Sequence, residues 1–254
     1  ADDLSLPDRL RRQVEFLDAH PAVGILGTAN FLELTGEADR QVVERPLADS
    51  DIRWTMLFKN ALVHTSVTFR RKLVAEVGGY DEEYVRSQDY DLWTRVLAHS
   101  EGANLDEPLV VLRWREDAIT ALHAEEQLET SRRISIRNIR ELCALSTEEE
   151  SLPWKIQSWR VWKSPGAQGS GLPPAFKASD AGAVELLARL LTAFCGAPGA
   201  REERRHFGRM WARAILHRLP ATGWEERSAK PIVEALSPIS PMAAAWFKLR
   251  ARIL

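Results

Sequence analysis

The sequence predicts an incomplete α/β layered unit followed by an all-helical extension. Two observations carry this. Strand and helix patterns alternate up to about residue 115, and no strand pattern follows. A Gly/Pro/Ser-rich stretch over 164–174 (SPGAQGSGLPP) then reads as a loop or linker within the helical part. The boundaries fall at 1–120 for the α/β part and 121–254 for the helical extension.

Taken in order, Ser5-Leu6-Pro7-Asp8 reads as a helix start, with Ser5 as cap and Pro7 in the first turn. Leu6, Leu10, Val14 and Leu17 then recur at helical spacing, and His20-Pro21 ends the helix. Residues 22–26 and 31–34 read as two short strands, with Thr35-Gly36-Glu37 as a turn toward Val42-Val43. Residues 49–58 have the caps and period of a short helix. Residues 65–70 alternate and are β-branched, as a strand should be. A turn or two of helix over 72–77 is closed by Gly78-Gly79. Residues 89–98 predict a helix, and 103–105 and 109–114 predict strands. Beyond them, helical patterns cover 123–145, 181–194, 201–219, 230–236 and 241–253.

Composition excludes several classes. The chain has 254 residues, is 45% hydrophobic and 28% charged, and carries a net charge of −2. A whole-chain electrostatic nucleic-acid binder is therefore not expected. Cys143 and Cys195 stand far apart with no CxxC, so neither a zinc site nor a disulfide framework is expected, and a reducing, cytoplasmic location is. No apolar run approaches the roughly 18–20 residues that span a bilayer. The chain opens on Ala1-Asp2-Asp3 without Met, which reads as a piece of a longer protein.

Asp2 and Asp3 precede the first helix, and carboxylate oxygens are what hard divalent cations prefer. Acids are also favourable at a helix N-terminus without any metal. Further on, His64-Thr65-Ser66-Val67-Thr68-Phe69-Arg70-Arg71 is followed by Val77-Gly78-Gly79-Tyr80-Asp81, then by Gln88-Asp89-Tyr90-Asp91-Leu92-Trp93, and then by Leu112-Arg113-Trp114. In order and spacing these segments resemble the second half of the family 2 glycosyltransferases, over roughly residues 1–125.

The resemblance implies a partial GT-A fold, Rossmann-like, that starts at the Asp-x-Asp element and lacks its N-terminal half. It implies a nucleotide-diphosphate sugar as donor, a glycan or lipid-linked acceptor, Mn²⁺ or Mg²⁺ as cofactor, and inversion at the transferred sugar. Asp2 matches the last acid of the Asp-x-Asp element and would ligate the metal; Asp3 matches an acid that often follows, with capping as its other reading. Asp89 matches the general base. Gln88 flanks it, and Asp91 reads as a first-turn helix acid rather than a second base. His64 either lines the acceptor pocket or serves the structure. Trp93 reads as core or as a wall on which a sugar stacks. Arg113 belongs to the strand beside the site. Where relatives carry a His, this chain has Arg115, which cannot ligate a metal but can grip a diphosphate. With the nucleobase half absent, the chain alone is expected to bind a nucleotide sugar weakly.

The helical part offers no catalytic motif. Arg201–Arg218 interleaves Arg204, Arg205, Arg209 and Arg213 with Phe207, Met210, Trp211 and Ile215. It reads as an ordinary helix with a basic outer face or as peripheral membrane contact near a lipid-linked acceptor. A second functional reading is a non-catalytic remnant serving as a helical interaction module.

Overall fold

The computed structural model describes residues 3–34, 40–114, 123–159, 176–196, 202–219 and 226–245. The chain divides into two compact units, Ala1–Ser135 and Ile136–Leu254. The first is α/β, built on a mixed sheet; the described elements that lie wholly in the second are helical.

The sheet of the first unit is organised by β2 (Val23–Leu34) and β5 (Glu101–Trp114), which run parallel along their whole lengths. β1 (Leu4–Ser5) adds antiparallel to β5, and β3 (Arg40–Val43) antiparallel to β2. β4 (Thr68–Phe69) pairs with the start of β2 through Ile25 and Leu26. Apolar side chains then split to the two faces. Leu17 on α1 (Arg9–Ala19) packs with Val23, Leu26 and Ala103. Ile25 joins Ile52 and Met56 near α2 (Asp49–Thr55), and Tyr90, Leu92, Trp93 and Val96 on α4 (Gln88–Leu97). Ile134 on α5 (Ala124–Leu142) packs on the same cluster, and Ser135 Oγ donates to the Leu57 carbonyl at 2.7 Å. A short helix, α3 (Arg71–Glu76), follows β4. The result is a sheet with helices on both faces.

Several sequence expectations need correction. The two short strands before residue 35 are one, and so are the two after residue 100. Pro108 lies inside β5, where a strand interior would ordinarily refuse it. The register slips there, from Thr28↔Leu105 to Ala29↔Pro108, so the ring occupies an irregularity. Ser5 pairs with Val110 as part of β1 and caps nothing; the helix starts at Arg9. His64–Ser66 is a 3-10 turn, leaving only Thr68–Phe69 as strand. The turn expected at Thr35-Gly36-Glu37 lies outside the described residues.

The largest correction concerns α1. Of its expected apolar face Leu17 is buried, but Leu10 is 58% and Val14 51% exposed. Gln13 is fully buried instead. Its Nε2 donates to the carbonyls of Leu26 (3.2 Å) and Ser66 (2.7 Å), and its Oε1 accepts from Thr68 Oγ1 at 2.8 Å. One amide thus satisfies β2, β4 and the 3-10 turn together, which a Leu could not do. Thr28 N–H to Ser66 Oγ (3.3 Å) and Arg9 Nη1 to the Thr65 carbonyl fix the same turn.

In the second unit, α7 (Ala181–Gly196) buries Val184, Leu187, Ala188, Leu191 and Phe194 among others and packs against α6 (Leu152–Ser158), α8 (Glu202–Arg218) and α9 (Glu226–Leu236). A helix apolar on most of its surface belongs inside a bundle. Burial pushes the Cys195 thiol on α7 up to about 11, which disfavours the thiolate. The helix expected from Lys230 begins earlier, at Glu226, with Pro231 in its interior. The expected helix over 241–253 lies mostly outside the described residues.

Replacing Gln13 by Ala strands two buried carbonyls and a hydroxyl, and a loss of about 3 kcal/mol is expected. Leu10→Ala and Val14→Ala on the exposed face should each fall within about 0.5 kcal/mol of the parent. Urea unfolding midpoints measure all three. A Gln13→Ala protein as stable as the parent would contradict this account of the turn.

Candidate active site

Asp89 stands in the first turn of α4, where an acid is favoured by the helix dipole. Its carboxylate is held from both sides. Oδ1 accepts the Tyr90 N–H at 2.9 Å, and Oδ2 accepts Asn60 Nδ2 at 2.9 Å. Asn60 is itself oriented, because its Oδ1 accepts the Leu62 N–H at 3.1 Å and so turns its amide nitrogen to Asp89. His64 Nδ1 lies 3.7 Å from Asp89 Oδ2. The Asp89 side chain keeps 18% of its exposure, enough for one small group to reach it. Burial raises its pKa above the ordinary aspartate value. The charge of His64 and the hydrogen bonds from Tyr90 and Asn60 oppose that rise without cancelling it.

His64 and Tyr80 stack with centroids 6.2 Å apart, and Tyr80 Oη approaches His64 Nε2 at 3.4 Å. Both are about half exposed. Burial pushes the Tyr80 phenol up, and the Asp89 charge adds to that. Trp93 lies beneath them, edge-on to His64 at 6.2 Å and to Tyr80 at 6.5 Å. At 1% exposure it presents no face to a sugar, so of its two readings it takes the core one and not the substrate-side one: it is the floor on which His64 and Tyr80 rest.

The turn that presents Tyr80 is fixed from α4. Gly78 and Gly79 have φ of 85° and 71°, which glycine adopts without strain. Arg95 Nη1 donates to the Val77 carbonyl (2.6 Å) and Nη2 to the Gly79 carbonyl (2.8 Å). The same guanidinium grips Asp91 Oδ2 through Nε (2.9 Å) and Nη2 (2.6 Å). Asp91 is 1% exposed and committed to this grip, so it is a brace for the site and not a second base. On the other side of Asp89, Ser87 has φ 53°, in the left-handed region a non-glycine residue rarely occupies. Its Oγ lies 2.8 Å from Ser131 Oγ and 3.3 Å from the Gln127 carbonyl, both on α5.

The expected site residues fall into separate clusters. His64, Asp89 and Trp93 come together, with Gln88 on the same helical turn as Asp89. Asp3 and Arg113 meet elsewhere, at the C-terminal end of β5. There the Arg113 N–H donates to Asp3 Oδ1 at 3.3 Å, and the Arg113 Nε donates to Glu33 Oε1 at 3.1 Å. Arg40 binds the other Glu33 oxygen, and these cations hold the Glu33 carboxyl below its usual range. Strand C-terminal ends are where open α/β sheets receive ligands. Asp2 and Arg115 lie outside the described residues. Asn60, Tyr80 and Arg95 were not singled out from sequence. The one signal for Asn60 was a polar residue directly before the apolar run Ala61-Leu62-Val63.

Among the described residues no group of three or more His, Cys, Asp or Glu side chains could hold a metal ion, and the Asp3 carboxylate already takes a backbone N–H. The described residues do not by themselves fit a divalent cation, and no chemical step is derived through one. No described helix is long and apolar enough to cross a membrane.

No family model matches the chain. It is 30% identical over 119 residues to the amylovoran biosynthesis glycosyltransferase AmsE of Erwinia amylovora, covering 46% of this chain and 44% of that protein. It is 28% identical over 105 residues to the O-antigen biosynthesis glycosyltransferase WbnJ of Escherichia coli, covering 38% and 37%. It is 25% identical over 118 residues to the UDP-Gal:alpha-D-GlcNAc-diphosphoundecaprenol beta-1,3-galactosyltransferase of Escherichia coli, covering 46% and 42%. The chain thus spans less than half the length of each of these relatives, and over that span it is similar to glycosyltransferases.

Proposed function

We propose that the chain supplies the acceptor side of an inverting, family 2-type glycosyltransferase of GT-A fold, with Asp89 as its general base. The observation that carries this reading is a largely buried, hydrogen-bonded carboxylate that keeps 18% of its exposure, and burial raises its pKa. Such a group is held still, is more basic than an exposed aspartate, and can accept a proton from a hydroxyl that reaches it. The relatives' names support the reaction class. The Gly-Gly-Tyr-Asp and Gln-Asp-Tyr-Asp-Leu-Trp segments support the assignment of roles.

In the proposed step the acceptor hydroxyl lies against Asp89 Oδ2. Its proton passes to the carboxylate while its oxygen forms the bond to the anomeric carbon of the donor. The bond from that carbon to the diphosphate oxygen breaks on the opposite face, the nucleoside diphosphate leaves, and the configuration inverts. Asn60 stabilises Asp89 before the proton arrives. His64 and Tyr80, both partly exposed beside the carboxylate, form the wall against which a glycan or lipid-linked acceptor is held. Donor binding is assigned to the C-terminal end of β5, near Asp3 and Arg113. Asp2, the proposed ligand of a divalent ion, and Arg115, a proposed diphosphate contact, complete that assignment. Polysaccharide assembly is the proposed setting.

Because the chain covers less than half of its relatives, turnover is measured on protein made from the complete reading frame. Asp89→Asn should lower kcat by about 10²–10⁴-fold with little change in the donor KM. Near-normal turnover in that variant would sink the assignment. The base works only when deprotonated, so activity is present above its pKa and lost as pH falls through it. With that pKa raised, the loss sets in above the ordinary carboxylate range. Asn60→Ala removes a donor that stabilises the charged form, and should move the acidic limb of kcat/KM to higher pH. A limb that stays put or moves down would exclude Asn60 from stabilising the base.

A further inference from the structure

Charge is unevenly placed along this chain. Residues 201–254 hold eleven Lys and Arg against five Asp and Glu, although the whole chain has 34 against 36. No acid follows Glu234, while Lys248, Arg250 and Arg252 do, among Trp246, Phe247, Ile253 and Leu254. A basic end on an otherwise acidic chain points to an anionic partner.

The second unit gives that charge a surface. α8 buries Phe207, Trp211, Ile215 and Leu216 on one side. Gly208 lets α8 approach the Cys195 side chain of α7 where any larger residue would collide. The opposite side is exposed and carries His206, Arg209, Arg213 and His217, three or four residues apart and so in one stripe. With Met210 and Met242 these residues line a groove of about 520 Å³. Met242 is 87% exposed. Arg209 is shared with Glu202 at 2.6 Å; among the described residues no acid pairs with Arg213.

We propose that this groove face docks on an anionic phospholipid surface. Arg209 and Arg213 meet headgroup phosphates, and Met210 and Met242 enter the boundary between headgroups and acyl chains. Cationic side chains flanking flexible apolar ones are the chemistry that a charged interface recognises. Among the described residues the groove contains no Phe, Tyr or Trp ring on which a base could stack, which disfavours single-stranded nucleic acid as its occupant.

Sedimentation of the chain with phosphatidylcholine vesicles, with and without phosphatidylglycerol, tests this without any turnover, so its outcome is separate from that of the glycosyl-transfer reading. The chain should sediment only with the phosphatidylglycerol vesicles and be released by salt near 1 M, where the Debye length is about 3 Å. R209Q/R213Q should weaken partitioning by about thirtyfold, from roughly 1 kcal/mol for each cation at the surface. The charge-preserving R209K/R213K should retain it. Equal binding to neutral vesicles, or an R209Q/R213Q protein that partitions like the parent, would overturn the proposal. So would saturable binding of a polyuridine RNA in place of vesicles.

Discussion

Asp91 is an ionisable side chain with almost no contact with water, and the candidate site is arranged around what that requires. A buried carboxylate is tolerated only if a cation and hydrogen bonds replace its hydration. Arg95, one helical turn on, supplies both through two nitrogens. Its remaining donors go to the carbonyls of Val77 and Gly79, so the pair also anchors a turn distant in sequence. The first turn of α4, which carries Asp89, is thereby joined to the turn that carries Tyr80.

The sheet makes this arrangement possible. β2 and β5 run parallel at its centre, and Ile25 packs with Trp93 and Val96 of α4 in one core. That packing sets the height of α4 and seats Trp93 as a floor. Entry into α4 costs backbone strain at Ser87, which two contacts to α5 hold in place. Asn60, at the end of the segment after α2, reaches Asp89 from the other direction. Three elements with no sequence proximity therefore constrain one carboxylate, and so it can be both buried and reachable.

The parts legible in the sequence were those with local signatures. The alternation of strands and helices, the paired glycines and the acids opening α4 all follow from backbone preference and capping. What could not be read depended on partners far along the chain. Gln13 lies on the same helical face as Leu10 and Leu17, three and four residues away, but a polar amide there does not read as core; its value lies in three hydrogen bonds to segments 13–55 residues away. Leu10 and Val14 follow the helical period yet face outward. Pro108 signals a break, but β5 runs through it because the slip in register accommodates the missing donor. Asp91 and Asp89 look alike as first-turn acids; the sequence already sets Asp91 aside as a second base, and the structure gives it a brace's role through Arg95.

The central claim is that burial makes Asp89 more basic than an ordinary aspartate while leaving it open to a hydroxyl. Carbon-detected NMR titration of its carboxyl, assigned by difference from Asp89→Asn, tests this directly. A transition above the ordinary aspartate value of about 3.9 is expected. A transition at or below that value would mean that His64, Asn60 and the Tyr90 N–H outweigh desolvation, and would contradict the claim.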